Sequence, residues 1–268
     1  MTTHAARDAD AGAAAILARV RLGRERLADL PETLRPADVA AGYRVQAALH
    51  RELAASGLGG LAGHKIGCTT PVMQRFLGID HPCAGGVFSA RVYREAAALR
   101  HGAFVRVGIE CEIAALLDAD LPAREQPYTA AEVAATVAAC AAAIEIVDDR
   151  WVDHKRVATP TLIADDFFNA ACVIGAPRKF DATLDLARLR GAMSVNGEEV
   201  GRGTGADVLG HPLNALAWLA NERARRGVGL RAGEFVLTGS MVQTCWARRP
   251  ASCAVEIEQL GGARVVFD

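Results

Sequence analysis

Apolar residues recur at helical spacing through residues 8–56 and at strand spacing through much of the remaining chain. Ala11 to Arg26 is dense in alanine with spaced larger apolar side chains. Ala37-Asp-Val-Ala-Ala-Gly-Tyr announces a second helix running toward Leu53. Gly57, Gly59, Gly60 and Gly63 break that pattern. From Gly63 to about Val92 the chain reads as a glycine-punctuated loop region with one short strand and a helix over Pro71–Leu77. Thr129-Ala-Ala-Glu132 has the form of a capping box and predicts a helix from Ala130 to about Ala142. Strands are expected over Phe168–Gly175, Phe235–Thr238, Ser252–Gln259 and Arg264–Phe267. Asn196-Gly197 marks a hairpin between Met193 and Val200. His211-Pro212 opens a helix to about Arg226, with proline in its first turn. Helices first, strands later and no regular βαβ alternation predict an α+β fold. The expected division is an N-terminal helical region, 1–60, and a β-rich domain, 61–268.

Within this pattern, Val105 to Leu117 is an apolar run interrupted by Glu110 and Glu112. In a strand, residues i and i+2 share a face. Ile109, Cys111 and Ile113 would then face the core, with the two carboxylates side by side on the other surface. Adjacent ionised carboxylates repel, so either a cation lies between them or one is protonated. Glu145, in the apolar run Ala141–Val147, supplies a third. Three carboxylates form a hard, oxygen-only set suited to Mg²⁺ or Mn²⁺ rather than Zn²⁺. The competing arrangement is an exposed edge strand, with Glu145 paired to Arg150 or Arg106.

The chain has 268 residues, 51% of them apolar, and a formal net charge of −1. That balance gives no electrostatic case for nucleic acid or a membrane surface. No apolar run reaches the roughly 18 residues of a membrane span, and the N-terminus lacks a secretory pattern. Seven scattered cysteines without a Cys-x-x-Cys suit a reduced, cytoplasmic protein. Lys65, Lys155 and Lys179 are the only lysines among thirty cationic residues, which singles out Lys65, set between glycines.

Five segments together resemble one family: Gly63-His-Lys-Ile-Gly-Cys-Thr69, Ile109-Glu-Cys-Glu-Ile113, Ala143-Ile-Glu-Ile-Val147, Gly210-His-Pro-Leu-Asn-Ala-Leu-Ala-Trp-Leu-Ala220 and Leu237-Thr-Gly-Ser240. They resemble, in register from about residue 40 onward, the 2-keto-4-pentenoate hydratase / 2-oxo-acid decarboxylase branch of the fumarylacetoacetate hydrolase superfamily. The resemblance implies a mixed β-roll with an N-terminal helical region and a homo-oligomeric enzyme using Mg²⁺ or Mn²⁺. Its implied substrates are short 2-oxo acids from aromatic-ring degradation. The implied metal ligands fall on Glu110, Glu112 and Glu145, and the implied active-site lysine on Lys65.

One position departs from the pattern. Hydratases of this family carry an aspartate after the proline of the loop Gly78–Gly86, where this chain has Cys83; Asp80 lies three residues earlier. Hydration is the first expectation, decarboxylation the second and acylpyruvate-type C–C hydrolysis the third. A catalytically silent partner subunit is the remote alternative. Lys65 would charge-pair with the substrate carboxylate or shuttle a proton. Cys83 is an acid/base candidate or a packed thiol. Ser240 is suited to a substrate carboxylate or to turn chemistry. His211 is a ligand candidate or a helix cap, and Asp165 and Asp166, near an apolar strand, approach the site or cap it.

Overall fold

The computed structural model describes residues 3–70, 74–75, 78–181 and 183–268. Helix α1 (Thr3–Gly23) starts earlier than the alanine-dense stretch suggests and ends where Arg24 turns left-handed, at φ 56°. Helix α2 (Val39–Leu53) begins at Asp38, whose carboxylate accepts the Ala41 N–H at 2.7 Å. Leu17 of α1 and Leu49 and Leu53 of α2 are fully buried. They share one apolar cluster with Ile109, Ile144 and Val255 of the strands. The helix expected over Pro71–Leu77 lies outside the described residues, apart from Gln74 and Arg75, which are helical.

The rest of the chain builds two mixed sheets. The larger contains β1 (Leu61–Gly67), β2 (Cys83–Phe88), β3 (Val92–Arg94), β5 (Val107–Leu117) and β6 (Val137–Asp148). It is completed by β7 (Asn169–Ile174), β8 (Arg178–Lys179), β11 (Phe235–Ser240) and β12 (Cys245–Trp246). Its order is β2-β1-β11-β5-β6-β7-β3, with β12 on β5 and β8 on β6. The smaller sheet contains β4 (Ala96–Leu99), β9 (Arg190–Val195), β10 (Glu198–Thr204), β13 (Ala251–Ile257) and β14 (Gly261–Phe267). Short helices α3 (Ala130–Ala134) and α4 (Thr159–Ala164) and the longer α5 (Pro212–Arg225) connect the strands. The α+β expectation holds, in the form of two mixed sheets. None of the described helices is long and apolar enough to cross a membrane.

Most local signals are realised. Thr129 and Glu132 form the capping box, and Asn196 and Gly197, both at positive φ, turn the β9–β10 hairpin. Two expectations need correction. The stretch from Gly63 to about Val92, read as a loop region with one short strand, instead carries two antiparallel strands, β1 and β2. The capped helix stops at Ala134, and Val137–Asp148 is a strand instead. Alanine is the strongest helix former, but intrinsic propensity is a weak preference that tertiary packing overrides. Here Ala141–Ala143 are fully buried on a strand flanked by β5 on one side and by β7 and β8 on the other, where small side chains let a central strand be buried on both faces.

Candidate metal centre

Alternation along β5 sends Ile109, Cys111 and Ile113 into the main core and turns Glu110 and Glu112 to the other face. In the antiparallel β5–β6 ladder, Glu110 stands directly opposite Glu145. Carboxylate oxygens from Glu110, Glu112 and Glu145 lie within 4.8 Å of one another. Glu112 and Glu145 have no exposed surface, and Glu110 is half-buried. The edge-strand arrangement is excluded, because Arg150 pairs with Asp165 and Arg106 with Asp149.

Each carboxylate is oriented by a donor from a different segment. The Thr244 hydroxyl donates to Glu110 Oε1, the Gly239 N–H to Glu112 Oε2 at 2.8 Å, and Asn169 Nδ2 to Glu145 Oε1 at 3.0 Å. Gly239 is required at its place: φ is 116°, and a Cβ would stand 2.6 Å from the Thr69 side chain. Lys65, buried on β1, places Nζ 3.2 Å from Glu145 Oε1. A Cβ on Gly67 would come within 3.3 Å of that ammonium, and the Phe167 ring centroid lies 5.9 Å from it.

Two buried oxygens, Glu112 Oε1 and Glu145 Oε2, have no hydrogen-bond partner. Leaving a buried polar atom unpaired costs about 1–3 kcal/mol, and more for a charged one. Three carboxylates against one ammonium also leave two negative charges uncompensated. Orphaned oxygens, an all-oxygen donor set and that charge deficit together fit a divalent hard cation. Without one, the site is electrostatically frustrated. Burial and then the facing Glu145 push the Glu110 carboxyl up to about 7, against the pull of Lys65 and the Thr244 hydroxyl. Burial, Glu145 and Glu110 hold Glu112 well above the usual carboxylate range. Burial works to discharge Lys65, but the attraction of Glu145, Glu110 and Glu112 outweighs it and holds the ammonium protonated beyond its ordinary range.

The structure thus brings Lys65, Glu110, Glu112 and Glu145 together. Cys83 begins β2 opposite Gly67; it is fully buried, and its hydrogen bond to Cys68, followed by burial, pushes the thiol well above its normal pKa. Ser240 pairs with Glu112 in register, yet its hydroxyl accepts the Cys111 N–H at 3.2 Å and donates to the Val242 carbonyl at 2.6 Å. His211 caps α5, its Nδ1 accepting the Leu213 N–H at 3.0 Å. Asp165 is buried against Arg150, 3.0 Å away, and Asp80 is an exposed bend residue. Sequence reasoning missed Thr244, Gly239, Asn169 and Phe167. Only Gly239 carried a signal, as the middle of Thr-Gly-Ser.

Residues 88–267 match the model of the fumarylacetoacetate (FAA) hydrolase C-terminal family. A 2-keto-4-pentenoate hydratase from Burkholderia vietnamiensis is 33% identical over 257 residues, 96% of this chain and 97% of the relative. A 2-hydroxyhexa-2,4-dienoate hydratase from Comamonas testosteroni is 35% identical over 210 residues, covering 76% of this chain and 77% of that one. The fold matches 4-oxalocrotonate decarboxylase from Pseudomonas putida G7, solved with magnesium and adipate, with a TM-score of 0.91 and 24% identity over 98% of both chains. On these matches and on the site they surround, the chain belongs to the fumarylacetoacetate hydrolase family, among relatives named as 2-keto-4-pentenoate hydratases.

Proposed function

We propose that this chain is a divalent-metal-dependent hydratase of short 2-hydroxydienoates, of the 2-keto-4-pentenoate type, in the breakdown of aromatic compounds. The observation that carries the reading is the buried triad of Glu110, Glu112 and Glu145 with two orphaned oxygens and Lys65 against it. Full-length likeness to relatives bearing that name supplies the substrate class. Mg²⁺ and Mn²⁺ are the ions proposed, since both favour all-oxygen sites.

When bound, a divalent ion supplies Lewis acidity that stabilises negative charge developing on the 2-oxo group of the substrate. The chain's own groups do the rest. Gly239 N–H, Thr244 and Asn169 fix the carboxylates so that no reorientation is needed when substrate arrives. Lys65, protonated in the resting site, offers a compact charge for the substrate carboxylate and a proton for the carbon chain. Seven free thiols, six of them buried, support a reduced compartment such as the cytoplasm, and a homo-oligomer is proposed from the family resemblance.

A second reading, decarboxylation of a 2-oxo diacid, is favoured by Cys83. The place expected to hold an acid/base aspartate is a buried thiol with a raised pKa, which does not ionise near neutrality. The test is to follow 2-hydroxypenta-2,4-dienoate and 2-oxohex-3-enedioate by NMR with Mg²⁺ or Mn²⁺. Water addition to the dienoate supports hydration, CO₂ loss from the diacid supports the second reading, and turnover of neither rejects both.

A further inference from the structure

Asp166, Phe167 and Phe168 are three consecutive non-glycine residues in the left-handed region, at φ 54°, 47° and 72°. L-residues rarely occupy that region in succession, and they persist there only where surrounding contacts fix them. The contacts converge on the buried Asp166 carboxylate. Oδ1 accepts the Gly86 N–H at 2.8 Å and lies 2.7 Å from His50 Nε2 on α2. Oδ2 accepts from Arg21 Nη1 of α1 at 2.8 Å. Burial alone would favour the neutral acid, yet His50, Arg21 and the Gly86 N–H hold the group well below the usual carboxylate range.

The next residues along the chain reach the metal centre. Phe167 lays its ring near the Lys65 ammonium, and Asn169 donates to Glu145 Oε1. Arg21 closes the arrangement, donating from Nη2 to the Asn169 carbonyl at 2.7 Å. One short segment therefore touches both the ammonium and a triad carboxylate, and both N-terminal helices clamp it. We propose that Asp166 is a positioning residue that, gripped by Arg21 and His50, fixes Lys65 and Glu145 through Phe167 and Asn169. The N-terminal helices are then part of the active-site architecture rather than an appendage. This rests on the metal reading of the triad but not on which reaction the site performs.

The test is calorimetric Mn²⁺ titration of the full chain, with kcat and KM measured alongside. Asp166→Asn keeps the shape and removes the charge; it is expected to weaken Mn²⁺ binding at least about tenfold and to lower kcat more than it raises KM. His50→Gln, a milder change, is expected to weaken Mn²⁺ binding about threefold or more, and it decides the matter if Asp166→Asn does not fold. Gln46→Leu is the structural control. Its amide donates to the Ala84 and Ile163 carbonyls beside the same segment without touching Asp166. It should lower Tm and leave Mn²⁺ affinity unchanged. Wild-type affinity in both Asp166→Asn and His50→Gln overturns the inference alone. A wild-type chain that binds no Mn²⁺ overturns the metal reading and this inference together.

Discussion

Glu110 and Glu145 face each other across the β5–β6 ladder, two carboxylates on neighbouring strands with the Lys65 ammonium 3.2 Å from Glu145 Oε1. In an antiparallel pair such neighbours have Cβ atoms about 4.5–5.5 Å apart, where like charges destabilise. The arrangement costs the metal-free fold stability and becomes favourable when a dication arrives.

That asymmetry is measurable as heat stability. Mn²⁺ at about one hundred times its Kd should stabilise the wild-type chain by about 2.7 kcal/mol. Glu145→Ala should abolish the shift. Glu112→Gln should do so too, while raising Tm of the metal-free protein, because a buried, ill-compensated carboxylate is replaced by a neutral amide. A metal-induced shift that survives Glu145→Ala would count against the triad.

Protons compete with the ion. The Glu110 carboxyl rises from 4.5 to about 7 in the metal-free fold, so it binds a proton more tightly folded than unfolded. Its penalty is absent below 4.5, grows as pH rises and is complete above 7. Metal affinity should accordingly fall as pH drops through 7, and the metal-induced change in Tm should be larger at pH 8 than at pH 5.5. Differential scanning calorimetry with and without Mn²⁺ at both values reads this, and a shift independent of pH would contradict it.

Lys65 separates binding from turnover. Lys65→Met should retain Mn²⁺ affinity, since it removes a cation that repels the ion, while turnover falls by about 10²–10⁴-fold, as for loss of a proton-transfer group. The metal-free protein should lose about 3–5 kcal/mol, because buried carboxylates are left without their ammonium. Parallel calorimetry and kinetics distinguish these effects, and turnover within a few-fold of wild type would remove Lys65 from the chemistry.

Gly239 tests the orientation of the ligands. Gly239→Ala places a methyl against Thr69 in a backbone conformation that L-residues avoid, and it disturbs the N–H held by Glu112. A loss of about 1–3 kcal/mol in stability is expected from the strained φ, with a fall of about 10–100-fold in metal affinity. Urea melts and metal titration of the same variant check the two effects separately.

The carboxylate triad is legible in the sequence because strand alternation is a period-two rule and charge is conspicuous in an apolar run. Glu110 and Glu112 share a face by spacing alone, and their register with Glu145 is set once two strands pair. The orienting groups are not legible. Asn169, Gly239 and Thr244 come from the start of β7, the end of β11 and the turn before β12, and nothing local marks a hydroxyl or an N–H that will meet a carboxylate from another strand. The start of Val137–Asp148 misleads because alanine suits helices and tightly packed central strands alike. Asp166 is legible only as one of two aspartates near an apolar strand, since its partners Arg21 and His50 lie more than a hundred residues earlier.

The most direct measurement is a crystal of the wild-type chain grown with Mn²⁺ and recorded for anomalous scattering. A single strong peak enclosed by Glu110, Glu112 and Glu145, and lost in Glu145→Ala, is the expected result. Density showing carboxyl groups hydrogen-bonded to one another, with no anomalous peak between them at saturating Mn²⁺, would contradict the central claim.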